Sequence, residues 1–208
     1  TISVQPGVSD NGAAGSAATT PEWRQAFLTF GDASWGSIKM GKDLGIFASD
    51  AILNDMTLLG VGAAAGGNPG AASVGSGTTT SYGGIGTGYI YAAWKGQVAY
   101  TSPNWNGFQF TAGVTNPNQG FSSALNQDRL GLEGKASYSW TGDVSGKVWV
   151  SGASYKVTLA EADYTADNDI RVTAIDIGAN VNVGDFGLTA YYYDTINSGT
   201  TFLGGTSF

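Results

Sequence analysis

The chain contains no cysteine and no histidine. That removes disulfides, thiolate chemistry, the usual zinc sites and the Ser-His-Asp and Cys-His nucleophile systems. Charge is scarce, at 12% of residues, about half of what a typical soluble domain carries. No run of about 18 apolar residues occurs, so no transmembrane helix is encoded. The net charge is −7, which argues against a nucleic-acid partner held through phosphate contacts. No signal peptide is visible, so Thr1 reads as a mature N-terminus or an internal start.

What is present is glycine, 33 residues, and an ordinary 42% of hydrophobic residues. Hydrophobicity dispersed at alternate positions, without long runs, fits transmembrane strands. Period-two alternation is clear in several stretches. In Tyr89–Thr101 the set Ile90, Ala92, Trp94, Val98 and Tyr100 alternates with Lys95, Gln97 and Thr101. Gly107–Asn116, Asp128–Trp140, Ile170–Val183 and Gly187–Asp194 alternate in the same way. Lys147–Val157 is less cleanly phased. Trp23–Gly31 and Gly36–Lys42 precede them, with Ile38 and Met40 on one face and Ser37 and Lys39 on the other. These make eight expected strands, with a strand end at Thr1–Gln5. Short connections (DASW, SPNWN, TGDVSG, GDFG) alternate with long ones. Strands of about 9–15 residues suit a tilted crossing of the hydrocarbon layer, and short turns at one end with long loops at the other mark outer-membrane barrels. Aromatics such as Trp35, Trp94, Trp105, Phe108, Tyr138 and Tyr192 gather near strand ends, as interfacial girdles do. A soluble sheet with cross-strand aromatic pairs shares that pattern.

One interruption, from about Lys42 to Gly88, breaks the series. A connection this long is rarely structureless filler in a compact domain. Its Gly-rich pieces, GVGAAAG and GIGTG, do not lie between a strand and a helix as a phosphate loop requires. Glu161, Asp163, Asp167 and Asp169 form an acidic cluster without the EF-hand order, read as a solvated loop with Ca²⁺ as the alternative.

The stretch WRQAFLTFGDASWGSIKMGKDLGIFASDAILNDMTLLG resembles the part of Gram-negative general porins that runs through two strands into the constriction loop. VAYTSPNWNGFQFTAGV and AIDIGANVNVGDFGLTAYYY are similar to later porin hairpins, and the resemblance covers most of residues 23–195. It implies an all-β fold: a transmembrane antiparallel β-barrel, with about eight strands of a 16-stranded porin present and a long loop folded into the lumen. On this reading residues 1–208 are one partial porin domain, and 43–86 are the constriction loop. The implied function is passive, non-enzymatic diffusion of small hydrophilic solutes and ions through an outer-membrane channel, with no cofactor and no metal. The implied partners are outer-membrane lipid, lipopolysaccharide and two further copies in a homotrimer.

The resemblance also implies site residues. Arg24 and Lys42 fall at wall arginine positions, and Asp55 falls at an acidic position of the loop, with Asp50 nearby. A second loop acid would fall at Leu59 and a further wall arginine at Ala93, and both charges are missing. Lys95, two residues on and on the same strand face, is the substitute, and Lys39 completes the basic set. Opposed charges across a narrow pore orient polar solutes and bias ion sign. Lys42 shares the phase of Ile38 and Met40, so a lumen position requires the strand to end or bulge near Gly41. Simpler roles exist: Arg24 and Lys42 as snorkelling residues, Asp50 and Asp55 as helix caps, and Arg129, Glu133 and Lys135 as solvated wall residues. A small closed barrel serving as anchor or adhesin, and a soluble β-domain binding a ligand through the Gly-rich loop, remain the alternative functions.

Overall fold

Alternation with period two builds the molecule. The computed structural model describes residues 2–5, 22–55, 90, 92–116, 125–126, 129–159 and 169–197. In chain order these form β1 (Ile2–Gln5), β2 (Glu22–Asp32), β3 (Gly36–Leu44), the short helix α1 (Ser49–Leu53), β4 (Trp94–Thr101) and β5 (Phe108–Thr115). There follow β6 (Leu125–Asn126), β7 (Gly131–Trp140), β8 (Val144–Leu159), β9 (Asp169–Val183) and β10 (Phe186–Ile196). All strand pairs are antiparallel. The strands form one sheet in the order β1-β2-β3-β4-β5-β7-β8-β9-β10, with β6 beside β8. It is a meander in which almost every strand pairs with its neighbour in sequence. Among the described residues the sheet is open, with β1 and β10 at its edges.

The eight long strands correspond to the eight that alternation marks out, with three shifts, one of them at β7, which begins at Gly131 rather than Asp128. The expected Tyr89–Thr101 strand begins only at Trp94. Ile90 and Ala92 continue the apolar alternation, yet both are fully buried outside the sheet, and Ala93 turns the chain at φ 57°. Tyr89 lies outside the described residues. β8 runs from Val144 to Leu159, longer than its uneven phase suggested. Its irregularity comes from Trp149 and Tyr155, large rings on the otherwise polar face. They lie over Gly178 and Gly131, where any Cβ would overlap the ring.

The two faces of the sheet are inverted relative to a soluble protein. On one face Lys95, Gln97, Glu133, Ser151 and Asp176 are buried. On the other Val98, Leu132, Val148, Ile175, Ile177 and Leu188 are exposed. The registers Tyr100↔Ala112, Ala112↔Gly134 and Gly134↔Gly152 keep each face continuous from strand to strand. A one-residue slip would reverse every side chain, so this patterning fixes the register. Exposed aromatics collect beside the short turns: Trp105 stacks on Phe108 at 6.1 Å, and Phe30 lies 6.4 Å from Trp35. The tightest turn, Gly184-Asp185, joins the pair Val183↔Phe186, with Gly184 at φ 57°.

Expected outcome: Ile177→Arg lowers folding stability by about 2–4 kcal/mol in lipid vesicles, as an arginine facing hydrocarbon should. Asn180→Lys, on the polar face of the same strand, changes it by less than about 1 kcal/mol. Urea titrations followed by tryptophan emission compare the two.

Candidate functional site

After β3 the chain leaves the sheet and crosses its polar face. Gly45 N–H donates to Ala93 O at 2.9 Å, closing the base of the loop. Residues 46–52 are buried. Their apolar side chains make two small cores. Phe47, Ala48 and Ile90 pack with Ala153, Tyr155, Val172 and Ala174. Ala51 and Ile52 pack beside Leu44 and Tyr191. The five-residue α1 is too short to be stable alone; packing of Ala51 and Ile52 beside Leu44 and Tyr191, and the polar contacts of Ser49 and Asp50 to β7 and β8, hold it.

A single carboxylate fixes the segment. Glu133 Oε2 accepts the N–H groups of Ile46 at 2.7 Å and Phe47 at 2.9 Å. Its Oε1 accepts Lys95 Nζ at 2.5 Å and the Tyr155 hydroxyl. Lys95 also donates to Tyr155 Oη at 3.0 Å. The Lys95 and Glu133 side chains are 4% and 0% exposed, so the pair is dry. Charges this deep need every lone pair engaged to offset lost hydration, and here both carboxylate oxygens are doubly used. This corrects the expectation that Glu133 is a solvated wall residue: the loop covers it, and its partners lie 38 and 86–87 residues away in sequence.

A second ionic group lies at α1. Asp50 Oδ2 pairs with Lys135 Nζ at 2.7 Å, and Oδ1 with Lys147. Lys135 also donates to Ser49 Oγ at 2.8 Å. Burial alone would push the Asp50 carboxyl up; the charges and hydrogen bonds of Lys135 and Lys147 outweigh it and hold the group below the usual carboxylate range. Beneath them Asp176 accepts Ser151 N–H at 2.9 Å, Ser151 Oγ at 2.6 Å and the Tyr191 hydroxyl at 3.0 Å. Ala48 N–H reaches Ser151 Oγ at 3.2 Å.

Of the residues singled out from sequence, Asp50 joins this group. Lys95 belongs to the Glu133 cluster. Lys39 pairs with Asp43 at 2.5 Å on the same face, where Gln25 also donates to Asp43 at 2.7 Å. Asp55 follows α1, its N–H donating to Ile52 O at 3.1 Å. Lys42 stands in register with Ala26 and Gly96, and pairing runs through Gly41 with no inserted residue, so the backbone keeps the phase of Ile38 and Met40. Arg24 is in β2, and its side chain lies outside the described residues. Of the acidic cluster, Glu161, Asp163 and Asp167 lie outside them as well. Asp169 is held by Arg129 at 2.9 Å, by Thr158 at 2.7 Å and by Lys156.

A family model described as Gram-negative porin matches residues 4–204. The chain belongs to the Gram-negative porin family. No curated protein and no solved structure matches it. Membership supports an outer-membrane, porin-like and in general non-enzymatic role. In this porin, sequence reasoning gave Glu133 only the part of a solvated wall residue and passed over Lys147, Tyr155 and Asp176. Each occupies an unremarkable position in the polar phase of its strand, and only the returning loop distinguishes it.

Two outcomes are expected. Glu133→Gln should cost about 3–5 kcal/mol, because it strands Lys95 in a buried site; the double variant Lys95→Met/Glu133→Gln should be less destabilised than the sum of the singles, as a thermal double-mutant cycle would show. Asp50, with its carboxyl held low, contributes docking stability that is fully present above the ordinary value of about 3.9 and is lost as pH falls through the lower, docked value. The protection factors of residues 46–53, exchange rates measured relative to the intrinsic rate at each pH, should therefore be unchanged from pH 7 to 5 and fall below about pH 4, with that acid dependence reduced in Asp50→Asn.

Proposed function

We propose that the sheet is wall of an outer-membrane β-barrel channel and that the segment from Gly45, two residues after the boundary expected at 43 because Asp43 and Leu44 still pair in β3, to about residue 86 is its constriction loop. The observation that carries this is the inversion of the sheet, with apolar side chains exposed on one face while the loop docks on the polar face. Hydrocarbon covers the apolar face, and a water-filled lumen lies on the other. Open edges cannot persist in lipid, since every backbone N–H and C=O needs a partner. Further strands therefore complete the wall, and the 16 strands of general porins leave room for such a loop. The channel admits small hydrophilic solutes and ions passively, assembles as a homotrimer, and sits among outer-membrane lipid and lipopolysaccharide. No catalytic role is proposed.

Within the loop Asp50 and Asp55 are its acidic residues, and Lys39 lines the wall, with Arg24 as a further basic candidate; Lys42, held by unbroken pairing in the phase of Ile38 and Met40, does not fit the wall position expected of it. Lys95 acts on the pore indirectly, by holding Glu133 and through it the loop.

The deciding measurement is planar-bilayer conductance of the detergent-purified full-length protein. Stepwise openings that close in threes are expected. Folded, inserted protein without conductance would overturn the channel reading in favour of a membrane anchor.

A further inference from the structure

The apolar face of the sheet is not smooth. A hollow of about 800 Å³ lies on it, lined among others by Val98, Tyr100, Leu132 and Ser154. Its floor is the row Ala112, Gly134 and Gly152, where adjacent strands carry nothing larger than a methyl group. Packing does not require glycine there. At Gly131 and Gly178 a neighbouring ring fills the space of the missing side chain, whereas a Cβ at Gly134 would meet nothing nearer than Thr111 O at 3.7 Å. Pairing runs through Gly134 and Gly152 without a bulge. Glycine weakens a strand interior, and where no bulge or bend calls for it, it marks the close approach of something else.

Toward the end away from the short turns the same face becomes basic. Lys156 stands directly opposite Arg171 in the β8–β9 register. Like charges directly opposite each other are unfavourable. Lys156 shares the Asp169 carboxylate with Arg129. Arg171 donates to Ser154 Oγ at 3.3 Å, and among the described residues no carboxylate pairs with it. Ser154 lines the hollow, so the guanidinium stands at its mouth. The height of the pair is informative. Val148, opposite Tyr138 in the aromatic zone beside the short turns, and Lys156 are eight residues apart on β8. At about 3.3 Å per residue and a tilt of about 40° this is roughly 20 Å along the membrane normal, near the ~25 Å of a barrel's apolar band. The pair therefore lies at the level of lipid headgroups. It is on the side of the longer connections, which face outward in outer-membrane barrels.

We propose that this is a binding site for a phosphate-bearing lipid of the outer leaflet, with its phosphate between Lys156 and Arg171 and an acyl chain in the hollow over Gly134 and Gly152. This rests on the part of the preceding reading that places the apolar face in lipid, and not on conduction. A phosphate offers oxygens to both the guanidinium and the ammonium, and charge-assisted hydrogen bonds of this kind are the strong ones. It also removes the repulsion between the two cations. From Ser154 on β8 to Ile38 on β3 the hollow extends roughly 20 Å, at about 4.8 Å per strand spacing. The tails of one leaflet reach about 15 Å, half of the hydrocarbon layer. A neutral lipid would fill the hollow and leave the pair unopposed; a free anion would meet the pair and leave the hollow unused. A lipid carrying phosphate satisfies both.

The test is lipid retention by the full-length protein in uncharged detergent, read by native mass spectrometry, with channel formation measured on the same material in planar bilayers. The probes are lipid A (the phosphorylated, acylated part of lipopolysaccharide), its dephosphorylated form, phosphatidylcholine and inorganic phosphate. Lipid A should be retained in preference to the other three. Lys156→Ala and Arg171→Ala should each weaken its retention about fivefold, the usual worth of one basic group at an anionic surface. Gly134→Leu places its side chain in open space and should weaken retention with the basic pair intact. Equal retention of lipid A and its dephosphorylated form by conducting protein would overturn the inference and leave the channel reading standing. Retention unchanged in both basic-residue variants would overturn it as well, whether or not Gly134→Leu folds. A Gly134→Leu variant that breaks an oligomer while holding lipid A as before would show that a second copy covers the hollow, and would also overturn it. Folded protein that retains lipid A as expected but does not conduct would overturn the channel reading alone.

Discussion

The Glu133 carboxylate is the contact on which the arrangement of loop and wall depends. Under the loop the sheet supplies a polar but dry patch, and the loop supplies backbone donors with nowhere else to go. Glu133 joins the two, accepting two successive N–H groups on one oxygen and Lys95 with Tyr155 on the other. Each party would be costly by itself. An unpaired Lys95 would be a buried cation, and unmet N–H groups at Ile46 and Phe47 would each cost as much as a lost hydrogen bond. Together they make a docking site that accepts this segment in one position. The apolar cluster of Phe47, Ile90 and Tyr155 adds adhesion without direction, and the carboxylate adds direction.

That division of labour explains why the sheet tolerates large aromatic rings on its polar face. Trp149 and Tyr155 interrupt the hydrophilic wall where the loop lands, and Gly178 and Gly131 make room for them to lie flat. Away from the loop the same face carries Asn180 and Asn182, side chains suited to water. The opposite face needs no such variation. It is apolar from strand to strand and ends in aromatic contacts beside the short turns, consistent with a uniform solvent on that side.

Much of this architecture was legible in the sequence, because a strand facing two different media writes its phase into every second residue. Leu132 against Glu133, and Ile175 and Ile177 against Asp176, are readable without coordinates. The position of the interruption was equally plain. What could not be read was which polar residues the loop would cover. Glu133, Lys135 and Arg129 share one strand phase in the sequence. One is sealed under the loop, one grips α1, and one sits exposed with Asp169. Their partners lie tens of residues away, and no period connects them. The start of β4 was misjudged for a related reason: Ile90 and Ala92 are apolar in the right rhythm, but they serve the core beneath the loop rather than the sheet. Lys42 shows the reverse, since its phase alone already indicated the backbone register that is found.

The meander has a bearing on how the protein comes to be. Nearly every strand finds its partner by closing a hairpin or a short connection, so the wall can grow by successive local steps, which are the quick ones. The loop is different. Its first turn is made early in the chain, yet its carboxylate receptor is on β7, and the groups that hold α1 lie on β7 and β8. The segment must wait, undocked, through the making of several later strands. The loop therefore docks only after the surface on β7 and β8 that receives it has been laid down.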